Sequence, residues 1–246
     1  MSAPTMKERT WRGGARFYKR VNGPAEARCL IGRAHQITEA GALTPEPEYC
    51  PDRNVLTFPV IDGPSGTTLI DAVALSELLA PLQVVRRANM PDLPVFDPFA
   101  KIAARLKPDA PHWLIDRVAR LQGVDAGPAG IVHGDFHCGQ LIRDCGGRVW
   151  IIDLEDMSQG PVEADLGNFA AHLATHPETG WRDLAEGVQF WAGRVQDAWN
   201  RLGKPCDAAL FRRHVDVALT RRALKLRHDR AEPEVLAALK SLPVIS

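Results

Sequence analysis

The chain has 246 residues, enough to bury the core of one large domain or of two unequal ones. Its 30 basic residues balance its 30 acidic ones, so nothing in the overall charge attracts nucleic acid or an anionic membrane, and neither is expected as a partner. No apolar stretch has the length of a membrane span and the N-terminal residues lack a signal-peptide core, which predicts a cytoplasmic protein.

The first 62 residues are predicted to form a small lobe of mixed strands and one helix. Aromatic and β-branched residues predict a strand before a turn at Asn22 and Gly23. Apolar residues at helical spacing predict an amphipathic helix that starts at Pro24 and stops before Gly41. The predicted segments are a strand at 15–21, a helix at 24–40, and extended pieces at 48–50 and 55–61.

Composition shifts towards helix after residue 63, so we place a domain boundary between residues 62 and 63. Pro81 is expected to kink or split the first of the helices that follow. A strand over 148–154, after a turn at Gly146 and Gly147, interrupts the helical series. The predicted helices are 69–88, 97–106, 110–122, 162–174, 181–202, 207–228 and 232–242.

The stretch HGDFHCGQLIRD, which follows the apolar pair Ile131 and Val132, places polar groups in the loop after a strand. Asp135 lies in this loop, Gln140 at its end, and Asp153 at the end of the next strand, 18 positions after Asp135. A hairpin would bring these three side chains together. Magnesium takes oxygen ligands and commonly only one or two carboxylates, so Asp153 and Gln140 are the candidate ligands. Asp135 would be left free to accept a proton.

The segments VHGDFHCGQLI, VWIIDLED and GPVEADLGNFAAHL resemble the aminoglycoside and choline phosphotransferase family of the protein-kinase-like fold. The resemblance is clear over residues 98–174 and weaker over 15–63. It implies an α+β, two-lobed fold, with a small mixed N-terminal lobe over residues 1–62 that covers the nucleotide. A larger, mainly helical C-terminal lobe over 63–246 would carry the catalytic loop and the metal site. ATP and Mg2+ would be the cofactors and a small hydroxylated molecule the acceptor.

The resemblance also implies roles for particular residues of the catalytic loop. Asp135 resembles the catalytic base, and His133 would organise the loop around it. Asp153 resembles the carboxylate that holds the ion between the ATP phosphates, and Asp165 resembles an acid that braces the loop from below.

Further roles fall in the small lobe. Lys19, or Arg20 if the strand register differs, would meet the α- and β-phosphates. Glu26 is the nearest helical acid able to pair with that lysine. The segment 58–61 would meet the adenine, and its candidate contacts are Phe58, Val60 and Ile61.

Three departures from the family pattern are visible. Gln140 stands where the family has Asn, which adds one carbon–carbon bond of about 1.5 Å. Only 18 residues precede Lys19, too few for a full pair of strands with a Gly-rich loop. Glu26 follows Lys19 by only seven positions. These departures predict an abbreviated small lobe and leave open a second interpretation, a catalytically impaired nucleotide-binding or regulatory module.

Other patterns carry weaker hypotheses. Glu155 or Asp156 could add a second contact to the ion. A zinc site is disfavoured because the spacing of His133, His137, Cys138 and Cys145 fits no compact ligand pattern. The basic run near the C-terminus is expected to be a solvated helix face; it comprises Arg212, Arg213, Arg221, Arg222, Lys225, Arg227 and Arg230. The weak candidates for acceptor contacts are His172, His176 and Asp183. The sequence does not indicate the oligomeric state.

Overall fold

The computed structural model describes residues 9–121, 130–179, 183–203, 205–229 and 232–243. Within these ranges the chain forms the expected α+β, two-lobed protein-kinase-like fold, with a small mixed lobe before a larger helical one. The predicted helix start at Trp181, the helix end at Gln122 and the basic residue Arg230 lie outside the described residues.

The small lobe contains four strands and one long helix. In chain order these are β1 (Thr10–Gly13), β2 (Arg16–Arg20), α1 (Pro24–Glu39), β3 (Glu48–Cys50) and β4 (Val55–Pro59). The strands form one antiparallel sheet in the order β1-β2-β4-β3. The positions of β2, α1 and β3 follow the sequence prediction, whereas β4 ends two residues earlier than predicted.

Strand β1 was not predicted. It forms a hairpin with β2, the strand that carries Lys19, so within the described residues one strand rather than a full pair precedes the strand of Lys19. The turn passes through Gly14, whose positive φ of 61° favours glycine. Trp11 lies opposite Tyr18 across the hairpin, and the two rings stack with centroids 5.3 Å apart. This aromatic pair stabilises a strand that is too short to carry a clear alternating pattern.

The large lobe holds the main core, centred on α6, which is buried along nearly its whole length and packs against α7 and α8. No described helix is long and apolar enough to cross a membrane. The helices are α2 (Thr68–Ala72), α3 (Leu75–Val85), α4 (Ala100–Arg105), α5 (His112–Arg120), α6 (Val162–Thr175), α7 (Leu184–Arg201), α8 (Ala208–Asp229) and α9 (Pro233–Ser241). The strands are β5 (Gly130–Val132), β6 (Leu141–Arg143), β7 (Val149–Ile151) and β8 (Ser158–Gly160).

The predicted helix 69–88 is divided, but at Val73 rather than at Pro81. Val73 has extended backbone angles and separates α2 from α3. Pro81 lies inside α3, where it removes one backbone hydrogen bond. Burial of Leu78, Leu79 and Leu82 on the core face of α3 offsets that loss and keeps the helix continuous.

The β6–β7 hairpin lies against the segment that joins the two lobes. The amide of Arg143 donates to the carbonyl of Pro64 at 3.0 Å, and the amide of Ile151 donates to the carbonyl of Leu43 at 2.8 Å. At Gly63 a Cβ atom would lie 1.9 Å from the carbonyl oxygen of Arg143, so only glycine allows this approach. The hairpin is therefore bound to Leu43 in the small lobe and to Pro64, which follows residues 62 and 63. A domain boundary between residues 62 and 63 stays a prediction.

A buried ion pair joins α5 to α8. The Arg117 guanidinium donates to Asp216 at 2.9 Å, to the Thr220 hydroxyl at 3.0 Å and to the carbonyl of Leu242 at 2.7 Å. We expect Arg117→Met to lower the free energy of unfolding by about 3–5 kcal/mol, because it leaves a buried carboxylate without this partner. Urea denaturation measures the loss.

Asp109→Asn is the matched control, because the Arg227–Asp109 pair also reaches α8 but its carboxylate is largely exposed. That variant should cost less than about 1 kcal/mol. Equal losses in the two variants would contradict a special contribution from the buried pair.

Candidate functional site

His133 connects the catalytic-loop segment to the strand that leads to Asp153. Its side chain is fully buried just after β5, and its Nδ1 atom accepts a hydrogen bond from the amide of Asp135 at 3.4 Å. Its Nε2 atom lies 2.9 Å from the carbonyl oxygen of Ile152, to which it donates when Nδ1 is the acceptor. In these contacts the buried ring binds only backbone atoms, as a residue that organises the loop would, and its part in catalysis stays a prediction.

Asp165, near the start of α6, holds the same loop from the other side. Its two carboxylate oxygens accept hydrogen bonds from the amides of His133 at 2.7 Å and Gly134 at 2.9 Å. Burial raises the pKa of Asp165, and the two amides and His133 oppose that rise. Gly134 has a φ of 80°, and a Cβ there would lie 2.1 Å from the carbonyl of Asp156. The loop therefore has little freedom to move.

Asp135 has no strong donor partner in the nearby sequence, but folding brings two cations to it from distant helices. Arg221 on α8 donates to its Oδ1 atom at 3.1 Å, and the Lys101 ammonium on α4 lies 3.6 Å from the same oxygen. Burial raises the pKa of Asp135, but the positive charges of Lys101 and Arg221 outweigh it and lower the pKa to about 2. Asp135 is therefore ionised at neutral pH.

Asp153, Gln140 and Lys19 lie in direct contact. The register of the β6–β7 hairpin pairs Leu141 with Ile151 and so brings the residues beyond its ends together. The Gln140 amide nitrogen is 3.3 Å from Asp153 Oδ2, and the Lys19 ammonium is 2.7 Å from Asp153 Oδ1. The convergence predicted for Gln140 and Asp153 is present in the structure.

Lys19, and not its alternate Arg20, points into the cleft between the lobes. Lys19 is only 8% exposed, whereas Arg20 is exposed and lies over the Trp11 ring. Among the described residues the ion-pair partners of Lys19 are Asp153 and Glu155, whose Oε1 atom is 3.0 Å away.

The predicted pairing of Glu26 with Lys19 is not formed. Glu26 accepts hydrogen bonds from the backbone and side-chain amides of Asn22, both at 2.7 Å, and from Arg9 at 2.6 Å. These contacts place it at the first turn of α1, where its charge also favours the helix dipole. Glu155 takes the place beside Lys19 that the sequence analysis gave to Glu26.

A cavity of about 480 Å³ lies between the small-lobe sheet and the β6–β7 hairpin. Six of the residues predicted to bind cofactor or metal line it: Lys19, Phe58, Val60, Ile61, Gln140 and Asp153. The remaining predicted site residues, Glu26, His133 and Asp135, are not part of its lining. The structure thus places six of the seven nucleotide and metal candidates together and leaves Asp135 outside the cavity lining.

The donors at this cavity suit a hard divalent cation. Asp153 and Glu155 supply carboxylates and Gln140 supplies a carboxamide, and the described residues contain no cluster of three or more His, Cys, Asp or Glu that could hold a metal alone. This set fits magnesium, which keeps several positions for phosphate and water.

Several contacts of the site were not predicted. Arg33 on α1 donates to the carbonyl oxygens of Leu154 and Glu155, and Arg9 bridges Glu26 and Glu155. Lys101 and Arg221 flank Asp135. These cations are far from the motif in sequence and carry no local signal, and Arg221 belongs to the basic run that was expected to be solvated.

One weakly predicted acceptor candidate, His172, lies near Asp135 together with His137, which was not among the candidates. The rings of His137 and His172 stack in parallel with centroids 4.1 Å apart. Burial lowers the pKa of His137 to about 4 and that of His172 well below its usual value, so both are neutral at pH 7. Asp183 instead caps the N-terminus of α7, accepting from the amides of Ala185 and Glu186.

Fold and site together define a phosphotransferase of the protein-kinase-like class. The sequence matches the phosphotransferase enzyme family over residues 10–204, and the chain belongs to that family. No curated protein matches the sequence.

Solved structures show the same fold at low sequence identity. The amicoumacin kinase hAmiN, in complex with AMP-PNP, Ca2+ and Ami, superposes with a TM-score of 0.69 at 14% identity and covers 92% of this chain and 80% of its own. A choline/ethanolamine kinase family protein from Mesorhizobium loti gives 0.65 at 18% identity, covering 94% and 83%. The choline kinase LicA from Streptococcus pneumoniae gives 0.60 at 14% identity, covering 98% and 92%.

The environment of Asp135 gives a prediction about its titration. Removing the Lys101 charge in Lys101→Met should move the pKa of Asp135 upwards from about 2, because a cation that favours the carboxylate is lost. Carboxyl carbon NMR against pH measures the shift, and Lys107→Met, on the exposed segment after α4, is the control. An unmoved titration in Lys101→Met would contradict the electrostatic account.

Proposed function

We propose that the protein is an ATP-dependent kinase that moves the γ-phosphate to a hydroxyl of a small molecule. The observation that carries the proposal is the convergence of Lys19, Gln140 and Asp153 at one cavity, with Asp135 tied through His133 to the same hairpin. Family membership supports phosphoryl transfer as the reaction.

The cavity is the proposed nucleotide site, covered by residues 1–62. Phe58, Val60 and Ile61 would contact the adenine at its wall, and Lys19 would steady the α- and β-phosphates. Asp153 and Gln140 would hold magnesium, which supplies charge stabilisation on the phosphates when it is bound. The amicoumacin kinase, solved with AMP-PNP and Ca2+, supports this assignment by likeness of fold.

Asp135 would act as the base towards the acceptor hydroxyl. Both cationic neighbours contact Oδ1, and the hydrogen bonds of the described residues leave Oδ2 for the acceptor. The hydroxyl oxygen attacks the γ-phosphorus, the bond to the β-phosphate oxygen breaks, and the hydroxyl proton passes to Asp135. The products are a phosphate ester and ADP. A low pKa suits this role, because the carboxylate is ionised before the acceptor binds and proton transfer follows the loose transition state.

A second candidate function is a nucleotide-binding or regulatory module with impaired catalysis. Gln140 in place of the family's Asn and the short β1–β2 hairpin favour it. The contact between Gln140 and Asp153 argues the other way, because the longer side chain still reaches the proposed ion ligand.

Asp135→Asn separates binding from transfer. We expect the variant to keep ATP binding and to lower kcat at least about 100-fold, because the base is lost while the cavity lining is unchanged. ADP release against a panel of hydroxylated metabolites measures turnover, and Asp109→Asn is the control at an exposed carboxylate. Turnover by Asp135→Asn equal to that of the native protein would refute the assignment of the base.

The native protein in the same experiment tests the alternative. Thermal shift with ATP, with and without magnesium, reports nucleotide binding, and Asp153→Asn should remove the magnesium-dependent part of the shift. Binding without turnover on any acceptor would support the impaired module, and absence of nucleotide binding would overturn both functions.

Glu155 and Glu26 can be compared as partners of Lys19. We expect Glu155→Gln to raise the KM for ATP by about tenfold, because Lys19 loses the carboxylate that lies 3.0 Å from its ammonium. Glu26→Gln should change KM little, since its contacts are with Asn22 and Arg9. The reverse ranking of the two variants would restore Glu26 to the role that the sequence predicted.

A further inference from the structure

The surroundings of Asp135 are cationic, and this bears on the acceptor of the proposed kinase. Lys101 and Arg221 both contact Asp135 Oδ1, and the Arg221 side chain is only 10% exposed. Any hydroxyl that reaches the free Oδ2 atom must therefore approach within a few ångströms of two fixed positive charges. Arg105, on the same helix as Lys101, adds a third positive charge near Arg221.

Lys225 extends this charge along α8. It lies four residues after Arg221, so both side chains project from the same face of the helix. Burial lowers the pKa of His137 and of His172, and the positive charge of Lys225 contributes to both shifts. Lys225 is exposed and forms no ion pair with any described residue.

The nearby acids neutralise Lys101 and Arg221, which pair with Asp156 and Asp135, but no ion pair among the described residues neutralises Arg105 or Lys225. Asp156 pairs with Lys101 at 2.6 Å, and Glu232 pairs with Arg222 at 2.9 Å, so each is engaged with its own cation. The two histidines between Asp135 and Lys225 are neutral at pH 7 and add no charge of either sign. Among the described residues near Asp135, Lys225 is an exposed cation without an ion pair and is open to a bound anion.

We infer that the acceptor carries an anionic group, a carboxylate or a phosphate, which binds between Arg221 and Lys225 while its hydroxyl faces Asp135. The inference rests on the proposed kinase function and names its substrate class. A cationic acceptor such as choline would instead bring its ammonium group towards Lys101, Arg221 and Lys225, where like charges repel it.

Anion binding tests the inference without knowledge of the natural acceptor. Sulfate and inorganic phosphate are titrated by calorimetry into the protein saturated with magnesium and AMP-PNP, so that the nucleotide cavity is filled. We expect binding that Lys225→Glu weakens at least about fivefold, because one attractive charge becomes repulsive. Absence of anion binding, or equal binding in Lys225→Glu, overturns the inference.

Arg212→Glu is the matched control. It makes the same change of net charge at an exposed position of α8, about 140° around the helix from Lys225. It should leave anion binding unchanged. Equal weakening in the two variants would mean that only the net charge matters, and it would also overturn the inference.

Turnover identifies the anionic group. Four acceptor sets share their hydroxyl pattern and differ in charge: sugar acids, sugar phosphates, the neutral parent sugars, and the corresponding amino sugars. Preference for the sugar acids would assign a carboxylate, and preference for the sugar phosphates would assign a phosphate. In either case Lys225→Glu should raise the KM for that acceptor and leave the KM for ATP unchanged. Preference for neutral or amino sugars overturns the inference and leaves the proposed kinase function intact. Failure of AMP-PNP to bind would count against the kinase function itself. Anion binding can still be measured on the nucleotide-free protein, so the anion site is tested separately from the kinase function.

Discussion

The position of the Asp135 carboxylate relative to the Asp153 carboxylate, which lies on a separate segment, depends on the buried ring of His133. One ring nitrogen accepts from the amide of Asp135 and the other binds the carbonyl of Ile152, the residue before Asp153. A side chain with donor and acceptor at opposite corners of a rigid ring fixes both segments at once, which neither a flexible nor an apolar residue would do. Asp165 completes the arrangement by accepting the amides of His133 and Gly134. The proposed chemistry therefore starts from positions set by backbone hydrogen bonds.

The small lobe meets this fixed platform through charges as well as through the main core. Lys19 reaches Asp153 and Glu155, Arg9 bridges Glu155 and Glu26, and Arg33 binds the carbonyl oxygens after Asp153. One apolar cluster, formed by Val21, Ala27, Leu30 and Leu56, belongs to the small lobe alone, whereas Ala34, Ile37 and Ala42 are part of the main core that the large lobe forms. Ion pairs at a partly exposed junction are individually weak, so the apolar contacts of Ala34, Ile37 and Ala42 with the main core also hold the lobes together.

The motif residues and the long helices could be predicted from the sequence because the patterns that indicate them are local. The hairpin turn at Gly146 and Gly147 predicted the approach of Gln140 to Asp153, and apolar spacing predicted α1, α6 and α8. Strands of three or four residues, such as β1 and β8, carry too few positions for a period to be read. The sequence also did not predict side-chain partners that are distant in the chain. Glu26 and Glu155 lie 129 positions apart, and the acid nearer to Lys19 in sequence, Glu26, was chosen although Glu155 is the one that pairs with it.

The charge distribution divides the cleft into two unlike halves. Beside the cavity, Asp153 and Glu155 place carboxylates where a divalent cation would be attracted, with Lys19 between them. Beyond it, Asp135 is enclosed by Lys101 and Arg221, and Lys225 adds charge further along α8. The zero net charge does not reveal this separation, because equal numbers of acidic and basic residues do not indicate where folding places them. An acidic half suits the ion that accompanies a nucleotide, and a basic half suits an anionic acceptor, so the two sites would attract different molecules without competing for them.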